Sequence, residues 1–117
     1  MKPQEVLEKI NKYINENTYV TTEVGQHQMW AAQFLKMKGP GKFITSGGLG
    51  TMGFGLPAAL GIGVNDKNKK IIVISGDGSF QMNFAELATA SESTPAVSRR
   101  FAMRRAVIGS REAAFLS

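Results

Sequence analysis

A chain of 117 residues without cysteine is at most one domain with a modest core, and it can form neither a disulfide framework nor a thiolate metal site. Its formal charge of +5 is unevenly spread: residues 1–90 hold nine Lys against seven acidic residues, and residues 91–117 hold five Arg against two Glu. That pattern is no nucleic-acid footprint; with no apolar run near the roughly 20 residues that span a membrane and no signal-peptide order at the N-terminus, a soluble cytoplasmic chain is expected.

Residues 3–15 read as an amphipathic helix. Val6, Leu7, Ile10, Tyr13 and Ile14 recur at helical spacing between Glu5, Glu8, Lys9 and Lys12, and Pro3 suits a first turn. Residues 18–24 are rich in β-branched side chains and read as a strand that Gly25 breaks. Gln26 and His27 follow at its C-terminal end, the edge at which open α/β sheets bind ligands. Both side chains can donate to phosphate oxygens, although a lone loop histidine without a role is the ordinary alternative for His27. A short helix over 29–38 is expected to end at Gly39-Pro40-Gly41. The Gly-Pro-Gly-Lys run there is not a phosphate loop, because Lys36 and Phe43 stand where that motif needs a glycine and a hydroxyl residue.

Phe43, Ile44 and Thr45 make a minimal strand. Gly47, Gly48, Gly50, Gly53 and Gly55 then crowd one stretch, interleaved with Met52, Phe54 and Leu56. That density points to close backbone approach to a ligand rather than to a linker. A small-residue helix is expected over 56–64. Met52 by itself reads more readily as core filling than as a cofactor contact.

The run Ile71-Ile72-Val73-Ile74 suits a strand buried on both faces of a parallel sheet. It stops at Gly76-Asp77-Gly78-Ser79, and a helix is expected over 80–90 with Ser79 as N-cap. A strand that ends at glycines and feeds a helix turns backbone N–H groups toward open space, which favours phosphate. Asp77 at that edge can add an oxygen ligand for a hard cation such as Mg2+.

From Ser91 the periodic pattern dissolves. The first ninety residues contain no Arg and the last twenty-seven contain no Lys. The simplest account is a tail of different coding origin: a vector-derived extension, a fusion scar or an out-of-frame read. The division expected is therefore 1–90 as a partial domain and 91–117 as a tail foreign to it, with a sheet strand missing. An unpaired sheet edge and exposed apolar helix faces would follow, and these favour self-association.

Three blocks in order, Gly25-Gln26-His27-Gln28-Met29-Trp30, the glycine-rich stretch from Thr45 to Ala59, and Gly76-Asp77-Gly78-Ser79-Phe80-Gln81-Met82-Asn83, resemble the catalytic large subunit of acetolactate synthases. The resemblance covers about residues 1–90 and implies a truncated thiamine-diphosphate-binding fold, α/β with a three-layer open parallel sheet. It implies Asp77 as a Mg2+ ligand, with Gly78 and Ser79 on the diphosphate and Gln26 and His27 reaching the same end. Gly50, Thr51 and Met52 would flank the two rings, with Met52 as the apolar wedge that bends the cofactor.

In that family, pyruvate is decarboxylated on thiamine diphosphate and joined to a second 2-keto acid, a step of branched-chain amino-acid biosynthesis. The implied cofactors are thiamine diphosphate and Mg2+, with FAD held mainly by a domain this chain lacks. The implied partners are the two keto acids, further copies in a homo-oligomer and a regulatory subunit, with neither nucleic acid nor membrane. Glyoxylate carboligases and pyruvate oxidases share parts of the pattern, and a non-catalytic, self-associating fragment is the alternative from another class. The family's metal motif closes with an Asn-Asn pair at positions that fall near Met103 and Arg104 here, and the glutamate that activates the aminopyrimidine comes from another domain. No turnover is therefore expected from this chain alone.

Overall fold

The computed structural model describes residues 2–66, 68–92, 106–108 and 113–115. Helix α1 (Pro3–Asn11) buries Val6, Leu7 and Ile10 along one stripe. It stops short of the expected residue 15 because Asn15 organises a turn instead: its Oδ1 accepts from the Asn17 N–H at 2.9 Å and from Thr18 Oγ1 at 3.0 Å, a local competition with helix typical of Asn. Strand β1 (Thr18–Thr22) follows, and α2 (Gln26–Phe34) begins directly after Gly25, whose φ of 143° is open to glycine. The expected helix over 29–38 is thus displaced toward the N-terminus. It ends at Phe34 because Leu35 is extended and Asn11 takes the freed groups: Asn11 Nδ2 donates to the Phe34 carbonyl, and Lys36 N–H donates to Asn11 Oδ1, both at 2.8 Å.

Strand β2 (Phe43–Thr45) falls where the sequence puts it. Next come α3 (Gly55–Asn65), β3 (Lys70–Ser75), α4 (Asp77–Met82) and α5 (Glu86–Glu92). The single helix expected over 80–90 is therefore two, broken at residues 83–85. Asn83 leaves helical geometry at φ −129° and ψ 21°, and its side chain is engaged elsewhere.

The sheet runs in the order β2-β1-β3-β4-β5. β1 pairs in parallel with β2, at Val20↔Phe43 and Thr22↔Thr45, and with β3 over five positions from Thr18↔Lys70 to Thr22↔Ile74. Helices α1 and α2 cover one face. There Val20, Ile72 and Ile74 meet Val6, Leu7, Ile10, Ile14, Ala31 and Phe34. Helix α3 covers the other face, against β1, β2 and β3, and buries Leu56, Ala59, Leu60 and Gly63. The three-layer α/β expectation holds for this body.

One expectation about the tail does not hold. Strand β4 (Ala106–Ile108) pairs in parallel with β3 at Ile74↔Ala106 and Ser75↔Val107, so the β3 edge is filled rather than open. Strand β5 (Ala113–Phe115) then pairs antiparallel with β4, outside the parallel body of β2, β1 and β3. The physical reason is that an edge strand's free N–H and C=O groups accept any extended partner, whatever its pattern. The expected exposed helix surface is present. Val64 on α3 and Met82 on α4 stand exposed to solvent.

Candidate functional site at the switch of the sheet

The chain leaves β1 through α2 to lie on one side at β2, then returns through α3 to the other side at β3. The C-terminal ends of β1 and β3 thus diverge into loops on opposite faces. In open α/β sheets such a switch point is the crevice where ligands bind. Every candidate residue from the sequence lies on a segment that enters or leaves it.

His27 sits in the first turn of α2 and is buried. Its ring is wedged between two glycines. A Cβ on Gly25 would lie 2.8 Å from His27 Cε1, and one on Gly76 would lie 3.2 Å from the same atom. The contact with Gly76 joins the end of β1 to the turn that carries Asp77. Burial lowers the His27 pKa below its ordinary 6.5, since desolvation disfavours the charged form. His27 Nε2 is buried with no partner among the described residues, an orphaned polar atom that costs roughly 1–3 kcal/mol until something satisfies it. Gln26, beside it, is exposed.

The glycine-rich loop closes on itself and on the next turn. Thr51 N–H donates to Ser46 Oγ at 3.0 Å. Gly50 and Gly53 take positive φ values of 67° and 78°, and a Cβ on Gly50 would meet Val24 Cγ2 at 3.2 Å. Met52 is 45% exposed, so it does not fill the core. Its methyl instead lies 3.5 Å from where a Cβ on Gly78 would stand. Met52 and the Gly-Asp-Gly turn, apart in sequence, are neighbours in space.

Asp77 opens α4 and is exposed. Its carboxylate makes no ion pair among the described residues and sits at a helix start that favours negative charge. Gly78 is exposed and Ser79 is buried. Ser79 is not the N-cap expected of it, because Gly76 takes that position in extended geometry and its carbonyl accepts from Phe80 N–H at 2.9 Å. Among the described residues no three His, Cys, Asp or Glu side chains gather as a metal cluster. The positions of the expected Asn-Asn pair, near Met103 and Arg104, lie outside the described residues.

The geometry brings together His27, Met52, Gly78 and Asp77, through Gly76. Gly50 and Thr51 lie in the loop that carries Met52, and Gln26 is exposed at the first position of α2. Three residues went without a role in the sequence reading. Gln28 Nε2 donates to Thr45 Oγ1 at 2.8 Å and ties α2 to the end of β2. Asn83 Nδ2 donates to the Gly53 carbonyl at 2.7 Å and holds the loop against α4. Glu23 is wholly buried just past β1, and Ser75 Oγ donates to its Oε2 at 2.7 Å. Gln28 and Asn83 lie inside the motif blocks, but side-chain amides in loops are too common to single out. An acidic residue directly after the Thr21-Thr22 end of a strand was the one available signal for Glu23.

Residues 23–97 match the family described as thiamine pyrophosphate enzyme, C-terminal TPP binding domain. Among similar curated proteins, the acetolactate synthase isozyme 1 large subunit of Escherichia coli K12 is 54% identical over 79 residues, which is 68% of this chain and 14% of that protein. The acetolactate synthase large subunit of Cyanidium caldarium is 54% identical over 90 residues, 77% of this chain and 15% of its own length. The chloroplastic acetolactate synthase 1 of Nicotiana tabacum is 52% identical over 87 residues, 74% of this chain and 13% of its own length. The chain thus spans about one seventh of the relatives it matches.

Proposed function

Since this chain belongs to the thiamine pyrophosphate enzyme family through its C-terminal TPP-binding domain, we propose that it is the diphosphate- and metal-holding part of an acetolactate synthase large subunit. The observation that carries the reading is the meeting of Met52 with Gly78 and of His27 with Gly76 at the sheet's switch point. It joins the three motif blocks into one place.

The residues present fit thiamine diphosphate and Mg2+. Gly78 is exposed at the turn, with only the Met52 methyl near its would-be Cβ. His27 Nε2 lacks a partner, and burial keeps the ring neutral near pH 7; as the donor tautomer it would satisfy a phosphate oxygen. Asp77 offers an exposed carboxylate. Mg2+ is commonly held by one or two carboxylates with phosphate oxygens and waters completing the octahedron, so one acidic residue suffices from this segment. Gly78 and Ser79 belong to the same diphosphate turn, and Gln26 to its rim. Met52, half exposed beside Gly78, would support the cofactor's bend, with Gly50 and Thr51 in the same loop.

When bound, thiamine diphosphate supplies the acidic thiazolium carbon on which a 2-keto acid loses CO2. The chain's own share is to bind the diphosphate, hold the metal through Asp77 and orient the ring system through Met52. Pyruvate and a second 2-keto acid as substrates, a homo-oligomer, a regulatory subunit and FAD held by another domain all belong to the longer protein in this proposal. No turnover is expected from the 117 residues alone. A cytoplasmic setting is proposed as well; the tobacco relative is chloroplastic by name, and among the described residues no helix is long and apolar enough to cross a membrane.

The test is thermal unfolding of this chain with Mg2+ alone, thiamine diphosphate alone and both. Stabilisation that needs both, about 2.7 kcal/mol at a hundredfold excess over Kd, supports the reading. No shift with the pair means the segment binds no cofactor, and acetolactate formed from pyruvate by the purified chain would overturn the assigned division of labour.

A further inference from the structure

We propose that Glu23 is a positioning residue, a buried latch that sets the spacing between the glycine-rich loop and the Gly76-Asp77 turn. Its side chain is fully buried and touches the root of each. On one side Ser75 Oγ donates to Glu23 Oε2 at 2.7 Å, and the same hydroxyl lies 3.1 Å from the Gly76 carbonyl oxygen. Ser75 is the last residue of β3, so this contact fixes the point from which the Asp77 turn departs. On the other side Glu23 Oε1 lies 3.0 Å from where a Cβ on Gly55 would stand, with Cγ at 3.1 Å and Cδ at 3.3 Å. Gly55 is the first residue of α3 and closes the loop that carries Gly50, Thr51 and Met52.

The chemistry suits a latch rather than core filling. A leucine would occupy similar volume but leave the Ser75 hydroxyl without its shorter contact, a loss that buried polar groups do not tolerate cheaply. A carboxyl group has two oxygens a fixed distance apart, so Oε2 accepts from Ser75 while Oε1 packs toward Gly55. Oε1 has no hydrogen-bond partner among the described residues, and it lies against the start of α3, where a helix's free N–H groups favour an acidic oxygen. Gly55 admits that approach because it has no side chain.

That the two loops hold thiamine diphosphate rests on the function proposed above; that Glu23 fixes their spacing does not. The experiment is therefore amide hydrogen exchange on the chain without ligand, comparing the parent with Glu23→Ala, Glu23→Gln and Ser75→Ala. Glu23→Ala is expected to speed exchange about tenfold in both 47–55 and 76–82 while leaving α1 unchanged. Glu23→Gln, whose amide oxygen can still accept from Ser75, should stay within about threefold of the parent. Ser75→Ala cuts one arm alone and should loosen 76–82 but not 47–55. Faster exchange throughout, α1 included, would overturn the latch in favour of a general core role, as would Ser75→Ala loosening both loops or neither. If Glu23→Ala does not fold, the Glu23→Gln and Ser75→Ala patterns decide. Titrating Mg2+ with thiamine diphosphate on the same variants separates the two ideas. A parent chain that binds nothing removes the cofactor reading and leaves exchange to judge the latch, whereas equal affinity in parent and Glu23→Ala overturns the latch's bearing on the site.

Discussion

Adding a single methyl group to α3 should have opposite effects at two of its glycines. Replacing a helical glycine by alanine ordinarily stabilises by about 0.4–1 kcal/mol, because the unfolded chain loses freedom. Gly61 is exposed, with nothing within 4 Å of its would-be Cβ, so Gly61→Ala should realise that gain. At Gly55 the methyl would meet Oε1, Cγ and Cδ of Glu23 at 3.0, 3.1 and 3.3 Å. Because three atoms along the side chain are in the way, rotating the carboxyl tip gives no relief; the whole Glu23 side chain must shift. It is fully buried and hydrogen-bonded to Ser75, and overpacking of this kind costs about 1–3 kcal/mol. The net for Gly55→Ala is a loss of about 1–2 kcal/mol. At roughly 4–8 °C per kcal/mol for a domain of about this size, its Tm should fall by about 4–16 °C while that of Gly61→Ala rises by a few degrees. Circular dichroism melts of the two variants check this. In a Glu23→Ala background the penalty should vanish and Gly55→Ala should turn stabilising. Gly55→Ala stabilising in the parent, or remaining harmful without the Glu23 side chain, would refute the packing argument.

Asp77→Asn should leave the ligand-free Tm within about 0.5 kcal/mol of the parent, as expected of an exposed substitution, yet abolish the stabilisation by Mg2+ with thiamine diphosphate; a retained shift would remove Asp77 from the metal site. His27 gives a pH dependence of defined sign. Burial lowers its folded pKa below 6.5, so between the two values the unfolded chain binds more protons and stability rises with pH. It is the only histidine, so urea midpoints in the parent should climb as pH rises toward the ordinary histidine value of 6.5, and the climb should flatten in His27→Gln; an equal slope in both would place the titration elsewhere. Asn83→Ala should cost about 1 kcal/mol by leaving the Gly53 carbonyl without its donor. Asn83→Asp should not restore it, because a carboxylate cannot donate; chemical denaturation of the pair tests this.

The elements and the motif chemistry are encoded in local patterns along the chain. The apolar run from Ile71 to Ile74 became β3, Gly25 ended one segment and released the next, and Gly76-Asp77-Gly78 marked a turn open to phosphate. These are properties of neighbours along the chain, readable at spacings of two to four residues. Helix ends were less legible, since Asn11 and Asn83 spend their side chains on distant carbonyls of Phe34 and Gly53. Which loops meet is a property of the folded chain. The fold put β3 beside β1, set Met52 over Gly78, wedged His27 between Gly25 and Gly76, and buried Glu23 against Ser75 and Gly55. It also brought Ala106 onto the β3 edge, where backbone pairing needs no side-chain pattern to announce it. Glu23 and Ser75 stand 52 positions apart, and no local periodicity carries information over that distance. Their contact follows from β1 and β3 running parallel in register, so that both strands end at the same edge of the sheet.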